Sequence, residues 1–143
     1  MMIVLLRHAD PLPNAANGLS PDGIKRAKLL ATMLADSGVT QAYCSDALRT
    51  AQTLEPLKSK LGAALTVTEV KGGPEQHSEA IAQAVKALPP ETTVAVVSHS
   101  NTVPMIIENL GGGAVAQIGL DQFDKLFILS LPGASAGPLL LRY

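Results

Sequence analysis

Two short, unbroken apolar runs, residues 3–6 (Ile-Val-Leu-Leu) and residues 93–97 (Thr-Val-Ala-Val-Val), constrain this chain more than any other feature. Neither run alternates with polar residues, so each reads as a strand covered on both faces. Ser20-Pro21-Asp22 opens a helix after the first run, with Ser20 as N-cap, Pro21 at the first helical position and Asp22 facing the positive dipole end. Ile24, Ala27, Leu30, Ala31 and Leu34 follow at helical spacing, and Gly38 ends the helix. Residues 40–44 read as a second strand. Ser45-Asp46 is expected to cap a second helix reaching about residue 61, with a break or kink at Pro56 and a stop at Gly62.

A third strand, half exposed, is expected at 65–70, followed by a Gly72-Gly73-Pro74 turn and an Ala-rich helix over 79–88. A further helix should run from after Asn101 to about Leu110, and residues 126–131 and 139–143 read as an antiparallel pair. Strands alternating with helices predict an α/β three-layer sandwich: a largely parallel central sheet flanked by helices, with antiparallel C-terminal strands. The chain has 143 residues, which suits one domain spanning 1–143.

Composition narrows the function classes. Hydrophobic residues make up 47% and charged residues 16%, the balance of a compact folded domain. Eleven basic residues face twelve acidic ones, and there is no Trp. A nucleic-acid binder needs a positive footprint and often aromatic platforms, so that class is set aside. Cys44 is the only cysteine, which excludes an internal disulfide and a cysteine-rich metal site. No apolar run approaches a membrane span, and Arg7 interrupts the apolar start too early for a signal peptide, so a cytoplasmic location is expected.

Sites in open α/β sheets form beyond the carboxyl ends of the strands. That rule selects Arg7-His8-Ala9-Asp10 after the first strand, Ser45 with Arg49 after the second, and Ser98-His99-Ser100 after residue 97. One His at a strand end is ordinarily a surface residue, and an Arg early in a helix ordinarily a solvated one. Arg49 at a helix start nevertheless opposes the dipole, a conflict resolved if it points at an anion. Only three His occur in the chain and two fall on this rim. Four local oddities in one place describe a functional site.

These segments resemble the signatures of the histidine phosphatase (phosphoglycerate-mutase-like) superfamily, and the chain's economy is similar to its short phosphohistidine-phosphatase branch. Leu6-Arg7-His8-Ala9-Asp10 resembles the Arg-His-Gly signature, with Ala9 in place of Gly. Ser45-Asp46-Ala47-Leu48-Arg49-Thr50-Ala51-Gln52-Thr53 resembles the Ser-x-x-x-Arg element, and Val97-Ser98-His99-Ser100 the second His signature. Leu19-Ser20-Pro21-Asp22-Gly23 resembles the family's helix entry.

The resemblance implies a phosphatase in which His8 attacks phosphorus to give a phosphohistidine that water hydrolyses. His8 must then be neutral, with one ring nitrogen held by a backbone carbonyl and its pKa lowered by the two arginines. Arg7, Arg49 and His99 would hold the phosphoryl oxygens. Ser100 could add a donor at a helix N-terminus, and Asn14 is equally a donor or a turn former. The resemblance implies no metal or other cofactor.

Asp10, Glu69 and Glu75 are the candidate general acids, although each is ordinarily a solvated carboxylate. Without a clear acid, phosphohistidine or an aryl ester is the favoured substrate, since such groups leave easily. Only the segment between Arg49 and Ser98 has length for a lid, and secondary structure uses most of it, so an open pocket is expected. The partner is accordingly a phosphorylated small molecule or a phosphoprotein; oligomeric state is open. A phosphoglycerate-mutase-type phosphotransferase and a non-catalytic phosphate-binding module are the competing readings. His77 is expected to face solvent, Cys44 to be packed rather than reactive with its redox sensitivity left open, and the Phe123–Phe127 stretch to pack on the domain or line the pocket rim.

Overall fold

A computed structural model describes residues 1–14 and 16–143. Its elements, in chain order, are β1 (Met2–Arg7), α1 (Pro21–Leu34), β2 (Val39–Cys44), α2 (Leu48–Leu61), β3 (Thr66–Glu69), α3 (Pro74–Lys86), β4 (Thr93–Ser98), α4 (Thr102–Asn109), β5 (Lys125–Ser130) and β6 (Leu139–Arg142). The six strands form one sheet in the order β3-β2-β4-β1-β5-β6. β1 through β4 run parallel, while β5 and β6 are antiparallel additions beside β1. The α/β fold expected from the alternation of strands and helices is the one observed.

Residues 3–6 and 94–97 lie at the sheet's centre and serve both faces. Ile3, Leu5, Val94 and Val96 join one apolar layer with Ile81 and Val85 of α3 and Ile106 and Ile107 of α4. Val4, Leu6, Ala95 and Val97 join the other, with Leu30 and Leu34 of α1 and Leu54 and Leu57 of α2. Each fully buried Leu or Ile contributes roughly 1.5–3 kcal/mol relative to exposure, so these layers hold the strands in register. That register aligns Arg7 with Ser98 and Cys44 with both Val97 and Glu69, so several strand ends reach a single rim.

Helix α1 begins as its sequence dictates: the Ser20 hydroxyl accepts the Gly23 amide at 3.1 Å. Gly23 is required by space, because a Cβ there would stand 2.1 Å from the Asp10 carbonyl oxygen. Ile24 is exposed instead of packed, and the helix buries Gly23, Ala27, Leu30, Ala31 and Leu34. α2 departs further from expectation. Its N-cap position is Ala47, without a side-chain cap, because the Ser45 hydroxyl is turned toward His99. Pro56 does not break it; the helix continues to Leu61.

α3 starts five residues earlier than the Ala-rich stretch implied. Gly73 is its N-cap and Pro74 its first residue, which places Glu75 and His77 on a helix, not in a loop or at its edge. Among the described residues no helix is long and apolar enough to cross a membrane.

Candidate active site

The rim at the carboxyl ends of β1, β2 and β4 gathers Arg7, His8, Arg49 and His99. Arg7 closes β1, and its Nη1 faces the carbonyls of Gly119, Leu120 and Gln122 at 3.1, 2.8 and 3.0 Å. Phe123 lies under the same guanidinium, 4.1 Å from its carbon to the ring centre. Arg7 Nε is buried with no partner, a charged donor held rigidly and left unspent. Burial draws the guanidinium below its ordinary pKa, Arg49 adds to that, and Asp10 and Asp121 oppose it.

His8 is almost fully buried. Its Nδ1 is 2.8 Å from the Ala9 carbonyl, which can only accept, so Nδ1 carries the proton. Its Nε2 receives the Arg49 Nε–H at 3.2 Å and therefore presents a lone pair. The pKa is pushed down to about 4. Burial is the largest cause, the Ala9 hydrogen bond opposes it, and Arg7, Arg49 and His99 lower it further. The two arginines lower the pKa as expected, but desolvation of the buried ring outweighs them. The Ala9 amide donates to Thr53 Oγ1 at 2.9 Å, and Thr53 in turn donates to the Arg49 carbonyl at 2.8 Å. One hydroxyl on α2 thus ties the turn carrying His8 to the turn carrying Arg49.

His99 meets His8 edge to face, with ring centres 5.4 Å apart. Its Nε2 is 2.8 Å from Ser45 Oγ. Its pKa is also pushed down to about 4, by burial first and then by Arg49, His77 and Arg7, against Asp46. Ser100 is buried two residues before α4. Asn14 stands exposed with φ 58°, the left-handed backbone that a turn-forming Asn tolerates.

The carboxylates considered as general acids are occupied or remote. Asp10 is paired with Arg26 at 2.7 Å. Glu69 ends the edge strand β3, three strands from β1, a separation of about 14 Å at ordinary strand spacing. Glu75 lines a groove of about 450 Å³ between α3 and α4, with Glu79, Lys86 and Asn109. Among the described residues no three His, Cys, Asp or Glu side chains cluster as a metal site.

Three contributors escaped the sequence reading: the carbonyls of residues 119–122, the Asp121 carboxylate and His77. Residues 119–122, outside the segment considered for a lid, supply the carbonyls that grip Arg7. Of the stretch expected to pack on the domain or line the rim, Phe123 lies 5.9 Å from the His8 ring and Phe127 packs in the core. Asp121 is an exposed carboxylate acting on Arg7. His77, expected in solvent, is 2% exposed. Its position was legible: His77, Ile81 and Val85 share a four-residue spacing, so the apolar stripe of α3 runs back through the histidine. Cys44 is packed among Leu54, Leu57 and Val97, and burial pushes its thiol pKa up, away from the reactive thiolate.

Comparison with known proteins agrees with this geometry. The model of the histidine phosphatase superfamily (branch 1) matches residues 3–72, which include Arg7, His8 and Arg49. That match, over nearly half of the chain, and the phosphatase folds that the chain resembles support a phosphatase enzyme of the histidine phosphatase superfamily.

Its fold goes with the short SixA-like chains. A structure from Nakamurella multipartitia, assigned as the phosphohistidine phosphatase SixA, is 28% identical, with TM-score 0.63 over 98% of this chain and 92% of that one. The protein histidine phosphatase SixA solved with tungstate is 22% identical, with TM-score 0.67 over 99% and 94% of the two chains. A mycobacterial glucosyl-3-phosphoglycerate phosphatase shares the fold at 15% identity, with TM-score 0.68 over 99% and 97%. No curated protein matches the sequence.

Proposed function

We propose that this chain hydrolyses phosphohistidine or phosphomonoesters through a covalent phosphohistidine on His8, without a metal ion. The observation that carries this reading is the fixed tautomer of His8: Nδ1–H on the Ala9 carbonyl and a lone pair on Nε2 beside Arg49. A neutral imidazole with an aimed lone pair is a nucleophile at neutral pH.

In the first step Nε2 forms a bond to phosphorus as the bond to the leaving group breaks, and the leaving group takes up a proton from solvent. Arg49 Nε must leave Nε2 and bond a phosphoryl oxygen instead. The unspent Arg7 Nε and the His99 ring hold the others, supplying the charge stabilisation that a metal would otherwise give. Water then attacks phosphorus, the N–P bond breaks, and His8 and inorganic phosphate are released. Asn14 and Ser100 are secondary candidates for substrate contact, of which the buried Ser100 is the better placed.

Asp10 is tied to Arg26, Glu69 ends the edge strand β3, and Glu75 lines the groove of α3 and α4, so none is poised to deliver a proton at His8. A phosphoramidate on a protein histidine, or an aryl phosphate, therefore suits the site better than an alkyl phosphate. The two SixA neighbours, a phosphohistidine phosphatase and a protein histidine phosphatase, support the same choice. Rates on a phosphohistidine peptide, p-nitrophenyl phosphate and sugar phosphates, each with wild type and His8→Ala, test the reading. We expect the first two to be turned over only when His8 is present. Sugar phosphates hydrolysed well while the phosphohistidine peptide is ignored would overturn the substrate choice; equal rates in His8→Ala would overturn the reaction.

A further inference from the structure

The proposed chemistry uses two of the three histidines, and the third, His77, is buried with both ring nitrogens engaged. Its Nδ1 is 2.8 Å from the Val70 carbonyl and its Nε2 is 2.7 Å from Ser98 Oγ. The carbonyl can only accept, so Nδ1 carries the proton and Nε2 is left to accept the Ser98 hydroxyl. Ser98 Oγ lies 2.6 Å from Thr102 Oγ1. Having given its proton to His77, Ser98 accepts from Thr102. The Thr102 oxygen in turn accepts the backbone N–H of His99 at 2.9 Å.

The short bonds in this series all point the same way, His99 to Thr102 to Ser98 to His77 to Val70, while the Thr102 hydroxyl also faces the His99 carbonyl at a longer 3.4 Å. Such aligned bonds reinforce one another in a low-dielectric interior. The far end is anchored too, since the Val70 amide donates to the Cys44 carbonyl at 2.8 Å. His99 is thus held at two points. Ser45, on the β2 side, holds its ring, and His77, from the start of α3, holds its backbone through two hydroxyls.

We propose that His77 is a positioning residue: it fixes the turn between β4 and α4 so that the His99 imidazole stays against His8. The inference rests on the reading of His99 as a phosphoryl-holding group. The alternative, that His77 merely fills space under α3, makes a different prediction. Leucine fills similar space without hydrogen bonding, whereas a glutamine amide can donate to Val70 and accept from Ser98.

The test is kcat and KM on p-nitrophenyl phosphate for His77→Leu, His77→Gln, Ser98→Ala and His99→Ala, with the double variant His77→Leu/His99→Ala and thermal melts of each. We expect His77→Leu to lower kcat about tenfold with KM changed less than about threefold, and His77→Gln to recover most of that loss. Ser98→Ala interrupts the same series with a smaller change and should match the His77→Leu loss, which covers a leucine variant that fails to fold. Once His99 is gone, adding His77→Leu should cost no further rate, because it acts through His99. A His77→Leu kcat within about twofold of wild type at a lowered melting temperature would assign His77 to packing alone. Losses that multiply in the double variant would equally overturn the proposal. A wild-type rate in His99→Ala, seen without touching His77, would instead overturn the reading of the site.

Discussion

Along β1 the side chains change character within two residues. Ile3, Val4, Leu5 and Leu6 disappear into the two apolar layers, and Arg7 and His8 follow, just as removed from water but polar. The same change occurs from Val97 to Ser98 on β4 and from Cys44 to Ser45 after β2. The other buried polar residues, Thr50, Thr53, His77, Ser78, Ser100 and Thr102, lie in the segments that follow strand ends. Apolar interior and polar rim are therefore two ends of the same strands. In the interior, burial is the purpose and identity matters through volume. At the rim, burial is a cost, offset by hydrogen bonds and, at Arg7 Nε and Ser78 Oγ, left uncompensated. Such a rim should trade stability for activity, and the interior should not.

The sharpest separation comes from His8→Ala. Its removal should lower kcat by about a thousandfold or more, while the melting temperature stays level or rises. Steady-state kinetics beside thermal melts would show it, and a large fall in both would merge the two regions. Leu30→Ala makes the converse change in the layer under α1, where Leu30 is fully buried. Denaturant unfolding should show a loss of about 2–5 kcal/mol, with kcat per folded molecule preserved.

Acid should probe the rim alone. His8 and His99 are pushed down to about 4, against an ordinary value of 6.5. Between those values the unfolded chain binds more protons than the folded one, so stability falls as pH drops from 6.5 toward 4. Over the same interval both rings stay neutral, so kcat/KM should hold steady and fall only near pH 4. A rate already falling near 6.5 would mean that the rings are not sealed as described. The smallest effect belongs to Ser20→Ala, which removes the α1 cap. It should cost about 1 kcal/mol in unfolding experiments and leave kcat close to wild type.

The interior was easier to read from the sequence than the rim. Unbroken apolar strands and the 3.6-residue periods of α1 and α4 follow from local sequence, and the Ser20 cap needs only its next three residues. The rim depends on partners far along the chain. Nothing near Ser45 announces that its hydroxyl serves His99, 54 residues away, instead of capping α2. Nothing near Arg7 reveals three carbonyls more than a hundred residues later. Motif spacing brought Arg7, His8, Arg49 and His99 to one rim because strand ends in a parallel sheet converge. His77 was missed because α3 was taken to begin at residue 79 rather than at Pro74.

The central claim is that His8 Nε2 carries the phosphoryl group. Rapid acid-free quenching of the protein with radiolabelled phosphohistidine peptide or aryl phosphate, followed by peptide mapping, tests it most directly. The account predicts an alkali-stable, acid-labile label on the peptide containing His8, formed and discharged at the rate of turnover and absent from His8→Ala. Full turnover with no such label, or a label that persists in His8→Ala, would contradict it.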